Sequence, residues 1–174
     1  MNINVISYSL SGNNRALAES VASGLGARHT DIKDIKTRTI GTTVADLLFG
    51  RTPKVEPGSV SVETDGAVVF VGPIWIGSIA TPLRTFFKQM KNKVKKYAFV
   101  SISGGADGPN PKISAELKKR MGKDAAAVLD YHIADLLPSD PKPTRDDTSK
   151  YKVTDADIKD LSGKIVSSLK RALV

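Results

Sequence analysis

Apolar and polar positions along this chain alternate between two patterns, one typical of strands and one typical of amphipathic helices. Continuous or alternating apolar runs predict five strands, at Ile3–Tyr8, 27–32, 67–72, 97–103 and 125–131. Apolar residues at helical spacing fill most of the segments between these runs. Strands that alternate with helices are typical of a parallel sheet covered by helices on both faces. We therefore predict an α/β doubly wound sandwich, with residues 1–174 as a single domain.

Capping residues and apolar faces locate the helices between these strands. Helices are predicted over 13–24, 44–49, from 81 onward, over 110–122 and from 154 onward. Thr81 and Asn110 are candidate N-caps, because each precedes a proline at the first turn of an apolar-periodic run. Segment 33–66 is predicted to be a long connection that includes the short helix. Segment 137–152, which is rich in Pro and Asp, is predicted to wrap the surface.

Composition narrows the range of functions. The chain has 174 residues, of which 40% are hydrophobic and 25% are charged, as is ordinary for a globular domain. No cysteine is present, which excludes disulfides, thiolate nucleophiles and zinc–thiolate sites. The sequence has no apolar run long enough to span a bilayer, and residue 3 onward reads as a core strand rather than a signal peptide. We expect a cytoplasmic protein with no membrane partner.

The formal net charge of +8 favours anionic partners. The densest run of lysines is Lys88, Lys91, Lys93, Lys95 and Lys96, at the end of one predicted helix and the start of a strand. Aromatic residues are not interleaved with these lysines, and no nucleic-acid-binding module is recognisable. We interpret the run as a solvated basic face and expect no nucleic-acid partner.

The loop after the first strand is the first candidate for ligand chemistry. Ser9-Leu10-Ser11-Gly12-Asn13-Asn14 places hydroxyl, amide and backbone donors at the start of a helix. Free N–H groups and the helix dipole make such a position suitable for a phosphate. The alternative is a well-capped helix without a ligand. Neither Gly-x-Gly-x-x-Gly nor Gly-x-x-x-x-Gly-Lys-Ser/Thr occurs here, which disfavours a dinucleotide fold and a nucleoside triphosphatase.

Two further loops fall at the carboxyl ends of predicted strands, where open parallel sheets bind their ligands. The loop after 67–72 contains Pro73, Ile74, Gly77 and the one tryptophan of the sequence, Trp75. The indole could stack on a planar heterocycle, or it could fold back onto the helix below. The loop at 103–108 is glycine-rich, so its backbone can approach a ligand closely.

At these three loops the chain resembles the flavodoxin-like FMN-binding family, and the resemblance covers nearly its whole length. The family's phosphate loop has the form Ser/Thr-x-Ser/Thr-Gly-x-Thr with a small residue four positions later. Segment 9–14 with Ala18 is similar, and Asn14 departs from the usual threonine. Segment 72–75 looks like the loop that covers one face of the isoalloxazine, and 103–108 like the loop that holds its pyrimidine edge.

The resemblance implies a flavodoxin-like three-layer sandwich with a five-stranded parallel sheet in the order 2-1-3-4-5. It also implies FMN as the cofactor. The implied cofactor-binding residues are Ser9, Ser11, Gly12, Asn13, Asn14, Pro73, Ile74, Trp75, Gly77, Ser103, Gly104, Gly105 and Asp107. No metal site is expected. No catalytic side chain is expected either, because the flavin carries the hydride chemistry. His29 and His132 are therefore not assigned a catalytic role.

Within the family, a reductase is favoured over an electron carrier. Carriers are strongly acidic and have a tyrosine in the third loop, whereas this chain is basic and has none there. The resemblance implies electron transfer from NAD(P)H through FMN to a quinone or a similar small acceptor. The alternatives are a carrier with a redox partner protein, or a protein that has lost flavin and serves in protein interaction.

Two accessory features are left open by the sequence. Arg15, Arg51 and Lys112 are the candidates to contact the phosphate of a nicotinamide cofactor. A homodimer, in which a neighbouring subunit covers the flavin, would fit the missing third-loop aromatic.

Overall fold

The computed structural model describes residues 2–36, 38–61 and 66–173. Its strands are β1 Ile3–Tyr8, β2 Arg28–Asp34, β3 Val55–Glu56, β4 Ala67–Val71, β5 Ile74–Trp75, β6 Ser78–Ile79, β7 Lys96–Ser103 and β8 Ala127–His132. Its α-helices are α1 Asn13–Leu25, α2 Ile40–Leu48, α3 Arg84–Met90, α4 Ile113–Met121, α5 Arg145–Lys150 and α6 Asp155–Leu173. The predicted connection 33–66 includes residues 37 and 62–65, which lie outside the described residues.

Within the described residues, the main sheet has the strand order β3-β2-β1-β4-β7-β8. Strands β2, β1, β4, β7 and β8 are parallel, so the predicted order 2-1-3-4-5 is confirmed. Strand β3 corrects the predicted five-stranded sheet to six strands, because it pairs antiparallel with the end of β2. Two residues inside a long connection carry too little periodicity to predict such a strand. The β5–β6 hairpin, predicted as a loop, pairs as a separate ribbon.

Alternating side chains of the central strands fill two apolar layers. Val68 and Phe70 of β4 point to the layer that contains Phe86 and Leu117, from α3 and α4. Val69 and its neighbours on the other face pack with residues of α1 and α6. Every residue of β4 is buried, which matches the fully apolar run read from the sequence. The predicted helices on both faces of the sheet are confirmed.

Several helix boundaries differ from those predicted. A 3-10 turn, Thr81–Leu83, precedes α3, and the Thr81 hydroxyl is buried without a hydrogen-bond partner among the described residues rather than acting as a cap. Helix α4 begins at Ile113, since the Asn110 side chain donates to Asp130 instead of capping. Helix α1 ends at Leu25, one residue later than predicted, and Gly26, with a φ of +60°, is its C-cap. No helix in the described part of the chain is long and apolar enough to cross a membrane.

The packing of α6 on the sheet can be tested directly in the apolar layer that α1 and α6 form with Val69. Leu169 is fully buried in this layer. Truncation of Leu169 to Ala should lower the free energy of unfolding by about 2–5 kcal/mol, because it leaves a cavity in a close-packed core. Chemical denaturation measures the change. Lys170→Ala, at the exposed neighbouring position, is the control and should stay within about 0.5 kcal/mol of the unaltered protein. Equal losses in the two variants would contradict the packing.

Candidate functional site

The three candidate loops meet in one cleft at the carboxyl ends of β1, β4 and β7. This carboxyl-edge cleft has a volume of about 340 Å³. The predicted residues that line it are Ser11, Asn13, Asn14, Pro73, Ile74, Trp75, Ser103 and Gly104. The predicted residues outside the lining are Ser9, Gly12, Gly77, Gly105 and Asp107. The three loops predicted from the sequence therefore do converge. Eight of their predicted residues line the cleft, and the other five lie in the same loops without lining it.

The first loop presents an uncapped helix start. Gly12 has a φ of +97°, a conformation that favours glycine, and its N–H donates to Ser9 Oγ at 3.0 Å. The N–H groups of the first helical turn have no intrahelical partner, and among the described residues no side chain caps them. The first turn also contains no acidic residue. Lys152 adds a cation to this loop, because its Nζ donates to the Ser11 carbonyl at 2.6 Å.

The two asparagines hold the walls of the cleft together. The Asn14 amide bonds both backbone groups of Ile102, with Nδ2 donating to the carbonyl at 2.9 Å and Oδ1 accepting from the N–H at 3.0 Å. The Asn13 amide donates to the Tyr151 carbonyl and accepts from the Val153 N–H. Both side chains are buried. Each amide already uses its oxygen and one of its two N–H donors, whereas the backbone N–H groups of the first turn of α1 have no intrahelical partner.

Trp75 lines the cleft and also packs against the core, so both alternatives open from the sequence stay compatible with its position. Its ring meets the ring of Tyr8 edge-on, with centroids 5.6 Å apart. The Arg38 guanidinium carbon lies 5.8 Å from the indole centroid, within the range of a cation–π contact. Contacts from two directions fix the orientation of the indole.

A buried polar network supports Trp75 from below. The Tyr8 hydroxyl donates to Asp34 Oδ2 at 2.6 Å, and Arg38 bonds Asp34 and Asp46 at 2.8 Å each. Burial, together with the neighbouring Asp34 carboxylate, raises the pKa of Tyr8 well above its ordinary value. Burial lowers the pKa of Arg38, but its bonds to the two carboxylates outweigh this and raise it overall. Tyr8 therefore stays neutral and Arg38 charged at physiological pH. The sequence did not predict this network, because Tyr8 is 26 residues from Asp34 along the chain and only the fold brings them together.

The β5–β6 hairpin turns through two residues with positive φ. Ile76 has a φ of +51° and Gly77 a φ of +72°, as a tight hairpin turn requires. A β-branched residue at positive φ is strained, and Ile76 is also 80% exposed. Gly77 lies at this turn and outside the cleft lining, so the structure gives it a role in the geometry of the loop.

The third loop is held close to β8 and to α5. Gly105 has a φ of +76°, and a Cβ on it would collide with the His132 side chain. Gly104 lies against Thr148, since a Cβ there would be 3.1 Å from its hydroxyl. Asp107 points to Arg145, with an ion pair at 2.9 Å. The backbone of Gly104, rather than the Asp107 carboxylate, is therefore the part of this loop that lines the cleft.

Helix α5 forms a wall of the cleft that the sequence reasoning missed. Segment 137–152 was predicted to wrap the surface, yet Arg145, Thr148 and Ser149 line the cleft. Thr144 begins α5 with a capping box, in which its hydroxyl and the Asp147 carboxylate bond each other's backbone N–H. The Thr-x-x-Asp spacing is the signal that could have predicted this helix. The other lining residues not predicted are Leu10, Ile102 and Ile133.

The remaining candidates lie away from the cleft lining. His132 Nε2 bonds Asp130 at 3.2 Å, whereas His29 Nε2 bonds the Ser7 hydroxyl at 2.8 Å. Burial lowers the pKa of His29. Arg15 pairs with Asp31 at 3.9 Å, and the Arg51 guanidinium lies over the Phe49 ring. Neither histidine nor either arginine lines the cleft.

The two hydrogen bonds between the Asn14 side chain and the Ile102 backbone should contribute measurably to the free energy of unfolding. Asn14→Ala leaves a buried N–H and a buried carbonyl of Ile102 without partners, so the free energy of unfolding should fall by about 2 kcal/mol. Urea denaturation measures the change. Arg15→Ala is the matched control on the next position of α1, since its exposed ion pair should contribute less than about 1 kcal/mol. If Asn14→Ala is as stable as the control, the hydrogen bonds between Asn14 and Ile102 do not stabilise this part of the cleft.

Neither a protein-family model nor a curated protein sequence matches the chain. Solved structures do resemble it. A Lactobacillus acidophilus NCFM flavoprotein in complex with FMN superposes with a TM-score of 0.62, at 19% identity, over 74% of this chain and 92% of that one. A Bacteroides eggerthii DSM 20697 protein assigned as a flavoprotein gives 0.64 at 16% identity, over 99% and 98% of the two chains.

A Bacteroides uniformis ATCC 8492 protein with the same assignment gives a TM-score of 0.61 at 14% identity, over 86% of this chain and 96% of that one. These identities are low, so the likeness shows the fold. Together with the strand order 2-1-3-4-5, it makes the fold of this chain flavodoxin-like.

Proposed function

We propose that the carboxyl-edge cleft binds FMN, with the phosphate at the start of α1 and the isoalloxazine beside Trp75 and Gly104. The observation that carries this proposal is the meeting of a helix start without a side-chain cap, an oriented indole and the Gly104 backbone in one cleft. A phosphate monoester and a planar heterocycle are the two ends of FMN. The similarity in fold to a flavoprotein solved with FMN supports the assignment.

At the phosphate end, the donors are the backbone N–H groups of the first turn of α1 and the Ser11 hydroxyl. Helix α1 has 13 residues, long enough for its dipole to favour an anion at this end. The absence of acidic residues from its first turn leaves that attraction unopposed. Lys152, bonded to the Ser11 carbonyl, adds positive charge beside the same loop.

At the ring end, Trp75 offers an aromatic face whose orientation is set by Tyr8 and Arg38. The Gly104 backbone can approach the polar edge of a heterocycle, because no Cβ stands between them. Bound FMN would supply hydride and electron transfer, while these residues bind and orient it. The apolar walls from Ile74, Ile102 and Ile133 would exclude water from the ring.

We further propose that the protein is an oxidoreductase that passes electrons from NAD(P)H to a quinone or a similar small acceptor. Two features support a reductase over an electron carrier. The net charge of +8 would repel the basic partners of an acidic carrier. Residues 103–108 contain no aromatic side chain that could cover the outer face of the ring.

The phosphate end can be tested by comparing FMN with riboflavin, which lacks the phosphate. Ser11→Asp places a carboxylate beside the α1 start, so it should weaken FMN binding by roughly tenfold or more. Riboflavin binding should change much less, because no anion is repelled. Flavin fluorescence quenching measures both affinities, and Ser139→Asp, on an exposed loop outside the cleft, is the control of equal charge.

If neither flavin is quenched or shifted by the unaltered protein at micromolar concentration, the FMN proposal fails. If Ser11→Asp weakens FMN and riboflavin equally, the phosphate does not lie at the start of α1.

The choice between reductase and carrier rests on turnover. FMN-loaded protein should oxidise NADPH or NADH continuously when a small benzoquinone is present, as followed by the absorbance of the reduced nicotinamide. Trp75→Ala should reduce that rate in proportion to the flavin it loses, so the rate per bound flavin is compared. Bound flavin with no nicotinamide oxidation would instead favour the electron carrier.

A further inference from the structure

A second concave surface lies between α3 and α4, and the turn of the β5–β6 hairpin forms one end of it. This α3–α4 groove has a volume of about 690 Å³, against about 340 Å³ for the carboxyl-edge cleft. Gly77 and Ser78 line it from the hairpin, whereas Trp75, on the same hairpin, lines the cleft. The groove is therefore separate from the proposed flavin site and shares one structural element with it.

The lining of the groove is strongly cationic. Its basic residues are Arg84, Lys88, Lys91, Lys112, Lys119 and Arg120. Among the described residues that line the groove, one is acidic, Glu116. Solvated lysines alone would form an ordinary basic face, as expected from the sequence for Lys88 and Lys91. The arginine at the base of the groove changes that interpretation.

Arg84 is a buried cation that has no carboxylate partner among the residues the structure describes. It is 7% exposed, and its Nη1 donates to the backbone carbonyls of Asp46 at 3.3 Å and Arg51 at 3.1 Å. Its Nε is buried and has no hydrogen-bond partner among the described residues. Carbonyl oxygens satisfy hydrogen bonds but do not neutralise a charge, and a buried charge is costly unless it is paired.

The nearest carboxylates are already used by other arginines. Glu116 bonds Arg120 at 2.6 Å and also accepts the Ile79 N–H at 3.0 Å. Asp46 bonds Arg38 at 2.8 Å. Burial, followed by repulsion from Arg120, lowers the pKa of Arg84 despite the attraction of both carboxylates. Within the described chain, this guanidinium therefore lacks a counterion of its own.

We propose that the α3–α4 groove binds a small molecule with two adjacent phosphate groups, such as the diphosphate of a nucleotide. Guanidinium groups match the geometry of phosphate oxygens, and a phosphate monoester carries about two negative charges. Six basic residues against one acidic residue therefore exceed what one phosphate would balance. Arg84 lines the groove but is only 7% exposed, so a narrow phosphate group fits this position better than the flat surface of an acidic protein.

The test is a titration of the full chain with inorganic pyrophosphate at about 0.15 M salt, where diffuse attraction is screened. Backbone amide shifts should show one saturable site, with changes at Ser78, Glu116 and their neighbours. Lys112→Glu combined with Lys119→Glu should weaken binding by roughly tenfold or more. Both lysines are exposed, so the variant should fold. Arg84→Gln should abolish the site.

A double variant on α6, Lys159→Glu with Lys170→Glu, changes the net charge equally on exposed positions away from the groove and is the matched control. Equal weakening in the two double variants would show nonspecific attraction and overturn the proposal. Shift changes confined to the start of α1 would place pyrophosphate in the proposed flavin site and overturn it too. Binding of polyglutamate without binding of pyrophosphate would assign the groove to an acidic protein instead.

This proposal does not rest on flavin binding. The groove variant should bind FMN as the unaltered protein does, because its lysines do not line the cleft. Pyrophosphate binding is measured by amide shifts without flavin. Loss of either ligand therefore leaves the other measurement intact.

Discussion

The burial of β4 and β7 on both faces is the constraint on which the rest of this structure depends. Strands that are apolar on both sides need a helical layer above and below, and the chain must cross over between parallel neighbours to supply both. Parallel strands end at the same edge of the sheet. Loops that are far apart in sequence therefore meet there, and the cleft is a consequence of how the core is covered.

The structure uses its polar side chains mainly to hold this edge in place. Asn13 and Asn14 bond the backbone of the C-terminal segment and of β7, and Asp107 pairs with Arg145. These three residues were predicted to bind the cofactor with their side chains. In the structure, their side chains instead hold the loops in position, and the backbone N–H groups at the start of α1 stay available for a ligand. The same role accounts for Asn14 at the position where the phosphate loop of the flavodoxin-like family usually has a threonine. The Asn14 amide can donate to the Ile102 carbonyl while it accepts from the Ile102 N–H.

The parallel strands and the meeting of three loops were predictable, because apolar periodicity and chain order determine both. Strand β3 was not, since two residues carry no periodic signal, and its pairing depends on where the long connection returns. Helix α5 was overlooked although the Thr144 and Asp147 spacing predicts its start. The bond between Tyr8 and Asp34, like the contacts of Arg84 with the backbone of Asp46 and Arg51, depends on tertiary proximity and cannot be predicted from spacing.

The β5–β6 hairpin lies between the cleft and the α3–α4 groove, because Trp75 of β5 lines the cleft and Ser78 of β6 lines the groove. These two residues face each other across the ribbon as a pair. If a ligand in the groove and a ligand in the cleft each bind one position of the hairpin more tightly, thermodynamic linkage makes their effects on each other reciprocal and equal in free energy. The hairpin is therefore the structural element that the two proposed sites share, and the strained turn at Ile76 lies at its tip.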